Sequence, residues 1–234
     1  MYNIITLGYD CSPASVLRSL NLRDFALPFD WVVSNINAIY NCIQDDFKQY
    51  HTKLFFNKNH TRLIDVYGFQ FPHDYPTIEI NNKDINNIEP FLNQIGEGVI
   101  GENSDKVIND NWLIYYDIVK QKYDKRIQRF RDVLIEPKPI IVLSRYNTRD
   151  ILQLDKILKQ KYNRKDIYFV NSCKQPFEND NIINIYTEAN GIWNDSTSWK
   201  NAIDKTIDKI KIPLTPPIVL GNTHKYKKMG LIKL

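Results

Sequence analysis

Apolar positions along the chain change period several times, and each change marks an element. "NIITLG" (3 to 8) is a short β-prone run that stops at Gly8, and "SPASVLRSLNL" follows with Val16, Leu17 and Leu20 as an apolar stripe at helical spacing. Ser12 reads as the cap of that helix and Pro13 as its first residue. The pattern predicts strand, turn, helix. A second helix is expected over 35 to 50, with Ile36, Ile39, Tyr40, Ile43 and Phe47 on one face, Ser34 as cap and Cys42 in the core or on its flank.

From 53 to 80 the periodicity gives way to short β-rich pieces, "KLFFN", "TRLIDVYGFQF" and "TIEI", which suit small antiparallel strands. Residues 81 to 104 are rich in Asn and Gly and read as a long loop or insertion. A long helix is expected over 106 to 135, because Val107, Trp112, Tyr115, Val119, Tyr123, Ile127, Phe130 and Leu134 hold one face. Beyond "EPKP" come a continuous apolar run at 140 to 146, a helix at 150 to 162 and a strand at 166 to 172, together one βαβ unit. A further strand at 181 to 187 and an amphipathic helix at 196 to 210 follow, and the tail from 212 carries prolines without periodicity.

Alternation of this kind predicts an α/β fold: three layers, a mostly parallel sheet with helices on both faces, and a small antiparallel β insertion. The 234 residues suit one catalytic domain with a loop-rich insertion at about 81–105 and an irregular tail from about 212. In such folds ligands sit at the carboxyl ends of the strands. That edge collects "GYDCS", "SRYNTRD" and "NSCKQ".

Composition narrows the function classes. A net charge of +4, with Lys and Arg interspersed among Asp and Glu, argues against nucleic acid as a partner. Three cysteines without CxxC spacing indicate neither a disulfide framework nor a zinc site, and no metal is expected. The start has no signal-peptide pattern and no run approaches a membrane span, so the expected location is cytoplasmic. Heavy use of Asn, Ile, Lys and Tyr fits an AT-rich bacterial or large-virus genome, hence host cytoplasm in the viral case.

Cys11 stands at the predicted strand-to-helix turn, where free backbone N–H groups and the helix dipole favour a thiolate and can form an oxyanion hole. A small buried residue at a tight turn is the competing reading. A cysteine nucleophile needs a histidine. His51 and His60 lie in polar stretches and read as surface residues, His224 lies in the tail, and His73 in "GFQFPHDYP" is the best base. Asp74 points away from its neighbour in an extended segment, which leaves Asp30, in "ALPFDWVVS", as the more interesting carboxylate, either for His73 or for its own backbone. Gly8, Tyr9, Trp31 and Asp74 are taken as the adjoining binding wall. Lys122, Arg126 and Arg129 share a helix face, solvated or aimed at a phosphorylated ligand such as coenzyme A or a nucleotide sugar, to which Arg145 can add. P-loop and GxGxxG motifs are missing from the sequence.

"ITLGYDCSPASVLRSLNLRDFALPFDWVVS", "FPHD", "KYDKRIQRFRDVL" and "PIIVLSR" together resemble a family, formerly of unknown function, described as papain-like cysteine peptidases. The resemblance spans residues 3 to 172 and implies a Cys11 and His73 pair. That family is similar in outline to capsule-polysaccharide enzymes that bind coenzyme A and act as acetyltransferases, in genomes where glycan-assembly genes sit nearby. What the resemblance implies is then an acyltransferase with acetyl-CoA as donor and a carbohydrate or nucleotide sugar as acceptor, working beside a glycosyltransferase. A papain-like peptidase is the alternative, and a non-catalytic ligand-binding module the second. The long stretch from 81 to 104 departs from the family pattern.

Overall fold

The computed structural model describes residues 1–79, 106–175, 177–186 and 195–211. Its centre is a parallel sheet of four strands, β1 (Asn3–Leu7), β7 (Ile140–Ser144), β8 (Ile167–Cys173) and β9 (Ile182–Tyr186), in the order β1-β7-β8-β9. β7 is buried at every position, which explains its uninterrupted apolar run.

One face of the sheet is covered by α2 (Ile36–Gln44), α3 (Tyr116–Ile135) and α4 (Thr148–Lys161), which pack on Ile5, Leu7, Val142 and Phe169. The other face is covered by α1 (Ser12–Ser19) and α5 (Ser196–Lys211), which enclose Ile141, Leu143, Val170 and Trp199. Three layers result, as the alternation predicts. Between α2 and α3 lie β2 (Phe55–Phe56), β3 (Leu63–Ile64) and β4 (Gln70–Phe71) in one antiparallel sheet, and β5 (Thr77–Glu79) paired antiparallel with β6 (Lys106–Ile108) in another. No helix among the described residues is long and apolar enough to cross a membrane.

Several boundaries differ from expectation. The long helix does not begin at 106: Lys106–Ile108 pairs with β5, Asn109 caps a 3-10 segment at Asp110–Tyr115, and the α-helix starts at Tyr116. Strand pairing to a remote partner overrides the helical spacing that Val107 and Trp112 share with α3. α2 is capped by Asn35, whose side chain accepts the Ala38 N–H at 2.9 Å, and it ends at Gln44, before positive φ angles at Asp46 and Phe47 turn the chain. The expected loop at 81 to 104 and the tail from 212, with His224, lie outside the described residues.

His51 is not a surface residue. It is fully buried, stacked on Tyr116 and Tyr123, with Nε2 at 2.9 Å from the Tyr75 hydroxyl. Burial pushes its pKa down to about 4. The folded state therefore holds His51 neutral, and the unfolded state takes up a proton below its ordinary value, so stability present above pH 6.5 is lost as pH falls towards 4, by about 3 kcal/mol. Asp65, which accepts the His51 amide and whose carboxyl burial lifts to about 6, shifts stability in the opposite sense over the same range. The diagnostic is thus the difference between proteins: urea melts at pH 7 and 4.5 should show a shallower acid loss for His51→Phe than for the natural protein. His60, by contrast, is exposed and stacks on Phe56.

Candidate active site

The turn after β1 is built for a close approach. A Cβ on Gly8 would lie 2.5 Å from the Asp10 carbonyl oxygen, so a larger residue would force this backbone open. Two side chains hold the turn from outside. Ser34 and Tyr146 both donate to the Gly8 carbonyl, at 2.5 and 2.9 Å, and the Ser34 amide donates to the Tyr9 carbonyl at 3.0 Å. Ser34 is thus a brace for the nucleophile turn, not the cap of α2.

Cys11 itself is the N-cap of α1, with Ser12 and Pro13 inside the first turn. Its side chain makes no capping bond; Asp10 takes over that work, accepting from the Ser12 amide at 2.9 Å and the Ser12 hydroxyl at 2.6 Å. The other Asp10 oxygen binds Arg145, which also reaches the Ser12 hydroxyl. With the Ser12 amide taken and no N–H on Pro13, the oxyanion donor that this turn offers is the amide of Cys11.

Cys11 is 3% exposed. Burial pushes its pKa up to about 12, helped by the Asp10 charge and opposed by Arg62. This corrects the expectation of a thiolate: desolvation and an adjacent carboxylate outweigh the helix terminus. Neutralising Asp10 should move the value back. Asp10→Asn should give about threefold more thiolate, read as faster iodoacetamide alkylation of Cys11 at pH 8. An unchanged rate would mean that burial acts alone.

His73 brings its Nε2 to 3.4 Å from the Cys11 sulfur. The two come from elements 62 positions apart, one at the edge of the parallel sheet and one on the link between β4 and β5. The Trp31 ring meets the imidazole edge-on at 6.0 Å, and the guanidinium groups of Arg18 and Arg23 lie 5.3 and 5.5 Å from the Trp31 ring centre. Trp31 has φ +66°, a strained value for a bulky residue, and the surrounding contacts hold it there.

The two carboxylates serve other partners. Asp30 is buried and binds the Thr6 hydroxyl, the Leu27 amide at 2.9 Å and Arg23 at 3.5 Å. Burial raises its pKa, and the bonds from Thr6 and Leu27 work against that rise. In this position it ties the loop carrying Trp31 to β1. Asp74 faces α3, bound to Lys122 and, at 2.6 Å, to the Tyr123 hydroxyl. Burial alone would raise its pKa; Lys122, Tyr123 and Arg126 bring it below the ordinary value.

The basic stripe finds partners within the chain as well. Lys122 pairs with Asp74, Arg126 lies 5.1 Å from the Tyr123 ring centre, and Arg129 reaches the Ala26 carbonyl at 3.5 Å. The Lys122 and Arg129 contacts tie α3 to the His73 segment and the 23–31 loop, while Arg129 itself stays exposed.

The family described as "Putative papain-like cysteine peptidase" matches residues 2–167, a span that holds Cys11, Asp30, His73 and the whole of α3. The chain belongs to this family. Within the papain-like family, then, this member sets its cysteine and histidine in contact across a strand-to-helix turn. An uncharacterized protein of Acanthamoeba polyphaga mimivirus is 24% identical over 214 residues, covering 89% of this chain and 86% of that protein. No solved structure matches the chain.

Asp10, Ser34 and Tyr146 are functional supports that motif reading passes over. Asp10 carries a local signal, an acid two residues before a helix-opening Ser, the spacing of an Asx turn. Ser34 and Tyr146 carry none, since both act on a carbonyl more than twenty positions away. The three segments at the carboxyl edge also meet as the fold class predicts: Tyr9, Arg145, Tyr146, Asn147, Cys173 and Lys174 line a cavity of about 350 Å³.

Proposed function

We propose that this protein is a cysteine-nucleophile enzyme whose acyl donor is a polypeptide. The observation that carries the reading is the 3.4 Å contact between the Cys11 sulfur and His73 Nε2, in a chain of the papain-like family. His73 takes the thiol proton as sulfur attacks the carbonyl carbon. The carbonyl oxygen becomes an oxyanion opposite the Cys11 amide. Collapse breaks the C–N bond, the departing amine leaves with the proton from His73, and a thioester remains on Cys11. Water then gives a proton to His73 and attacks the thioester carbon; sulfur departs, recovers the proton and releases the acid.

A second reading is acetyl transfer from acetyl-CoA to a sugar hydroxyl or amine, with a nucleotide sugar or carbohydrate as acceptor and a glycosyltransferase as working partner. The 350 Å³ cavity favours it, because Lys174 supplies positive charge beside the nucleophile turn. The engagement of Lys122, Arg129 and Arg145 with acceptors inside the chain weighs against it.

Intact-mass measurement after mixing with activated peptide esters or with acetyl-CoA separates the two. A peptide-derived adduct that disappears in Cys11→Ala supports the first reading, and an added acetyl group with the same dependence supports the second. No Cys11-dependent adduct from either donor would sink both and leave a non-catalytic binding module.

A further inference from the structure

The segment 30–34 touches both halves of the candidate site. On the β1 side, Asp30 binds the Thr6 hydroxyl, and Ser34 bonds to the Gly8 and Tyr9 carbonyls of the nucleophile turn. On the other side, Val33 pairs with Gln70 of β4, its amide donating at 3.0 Å and its carbonyl accepting at 2.9 Å. Gln70 lies three residues before His73. The segment thus runs from the strand that carries the cysteine to the strand that leads to the base, and Trp31 sits between its two anchors.

The turn that enters Trp31 is fixed twice. The Asp30 amide donates to the Leu27 carbonyl at 3.2 Å, closing a turn with Pro28 at its second position, and the Asp30 carboxylate accepts the Leu27 amide at 2.9 Å. Beyond it the chain takes φ +66° at Trp31, a left-handed value that suits glycine and strains a bulky residue. Strain of this kind persists where surrounding contacts over-determine it, and it clusters at active sites. Here it has a visible product: the indole turns to His73, with ring centres 6.0 Å apart and planes at 88°, a T-shaped contact. Arg18 and Arg23 lie 5.3 and 5.5 Å from the indole centre, within cation–π range, and Asp30 holds Arg23 at 3.5 Å.

We propose that Trp31 is a positioning residue for the base: its indole fixes the imidazole plane so that Nε2 stays on the Cys11 sulfur. The proposal rests on the cysteine-nucleophile reading above. Asp74 anchors the His73 backbone to α3, which sets where the side chain starts and leaves its torsions to turn the ring. An aromatic ring packed against the imidazole removes that freedom. Proton transfer across the 3.4 Å contact needs it, because a misplacement of about 1 Å is costly to a reaction of this kind. Asp30 acts at one remove, through the turn and Arg23.

Trp31→Gly tests this, since glycine deletes the ring and accepts the left-handed backbone freely, while Trp31→Phe keeps an aromatic face. With activated peptide esters at pH 7, Trp31→Gly should acylate Cys11 about thirtyfold more slowly at saturating ester, with the half-saturating concentration little changed. Trp31→Phe should stay within about threefold of the natural rate. In the His73→Ala protein, followed at pH 10 where the thiolate attacks unaided, Trp31→Gly should change the rate by less than about twofold. Carbon-13 relaxation of labelled histidines reads the ring directly: His73 should be rigid in the natural protein and mobile in Trp31→Gly, with buried His51 rigid in both. An unchanged saturating rate, an effect on half-saturation alone, or an equal loss with and without His73 overturns the proposal and makes Trp31 a substrate wall or a packing residue. A His73 ring that stays rigid in Trp31→Gly, or a His51 ring that loosens with it, also overturns it. If the natural protein forms no Cys11 adduct, the nucleophile reading falls, and the relaxation result alone decides whether Trp31 positions His73.

Discussion

His73→Ala should lower the rate of acyl-enzyme formation by about a thousandfold at pH 7, close to the background left by Cys11→Ala. The thiol's own acidity sets this expectation. With the Cys11 pKa pushed up to about 12, only about one molecule in 10⁵ carries a thiolate at neutral pH, so attack depends on a base already in contact with sulfur. The pH profile distinguishes this from a packing defect. In the variant the rate should climb about tenfold per pH unit well into the alkaline range, following thiol ionisation, whereas the natural protein, with a base in contact with the sulfur, should depend far less on pH there. Combining His73→Ala with Cys11→Ala should add nothing. A variant retaining more than a tenth of the natural rate would remove His73 from the base role.

The second large effect concerns Asp74. Asp74→Ala should lower the unfolding free energy by about 3 kcal/mol in urea titrations at pH 7. The fully buried Tyr123 hydroxyl would lose its acceptor, and Lys122 would lose its ion-pair partner. Lys122 remains partly in water, so its share is small and most of the cost comes from the tyrosine. Asp74→Asn can still accept from Tyr123 and should cost about half as much. Both variants should also slow acylation, because Asp74 and His73 are consecutive and point to opposite sides: anchoring the acid to α3 aims the imidazole at Cys11. Full stability in Asp74→Ala would refute the anchoring.

This alternation was visible in the chain, since adjacent residues of an extended segment must diverge. The same holds for β7, whose four apolar residues Ile140 to Leu143 show no polar face because both sheet faces are covered. The Cys11 turn was legible from Gly8 and the helix stripe. Other features were hidden for definite reasons. The polar residues around His51 gave no sign that aromatic rings from Tyr75, Tyr116 and Tyr123 would close over it. The start of α3 was masked because strand residues Val107 and Ile108 share the apolar character of a helix face, and only the pairing with β5 distinguishes them. The basic stripe looked like a ligand surface because its carboxylate and carbonyl acceptors come from residues about fifty to a hundred positions away.

The raised pKa of Cys11 has a consequence for survival of the protein. Peroxide and soft electrophiles consume thiolates, and a buried thiol that stays protonated offers them almost nothing. The resting enzyme should therefore keep its sulfur reduced through oxidative bursts that inactivate low-pKa cysteine enzymes, and broad alkylating probes should pass it over while tight-fitting acyl donors label it.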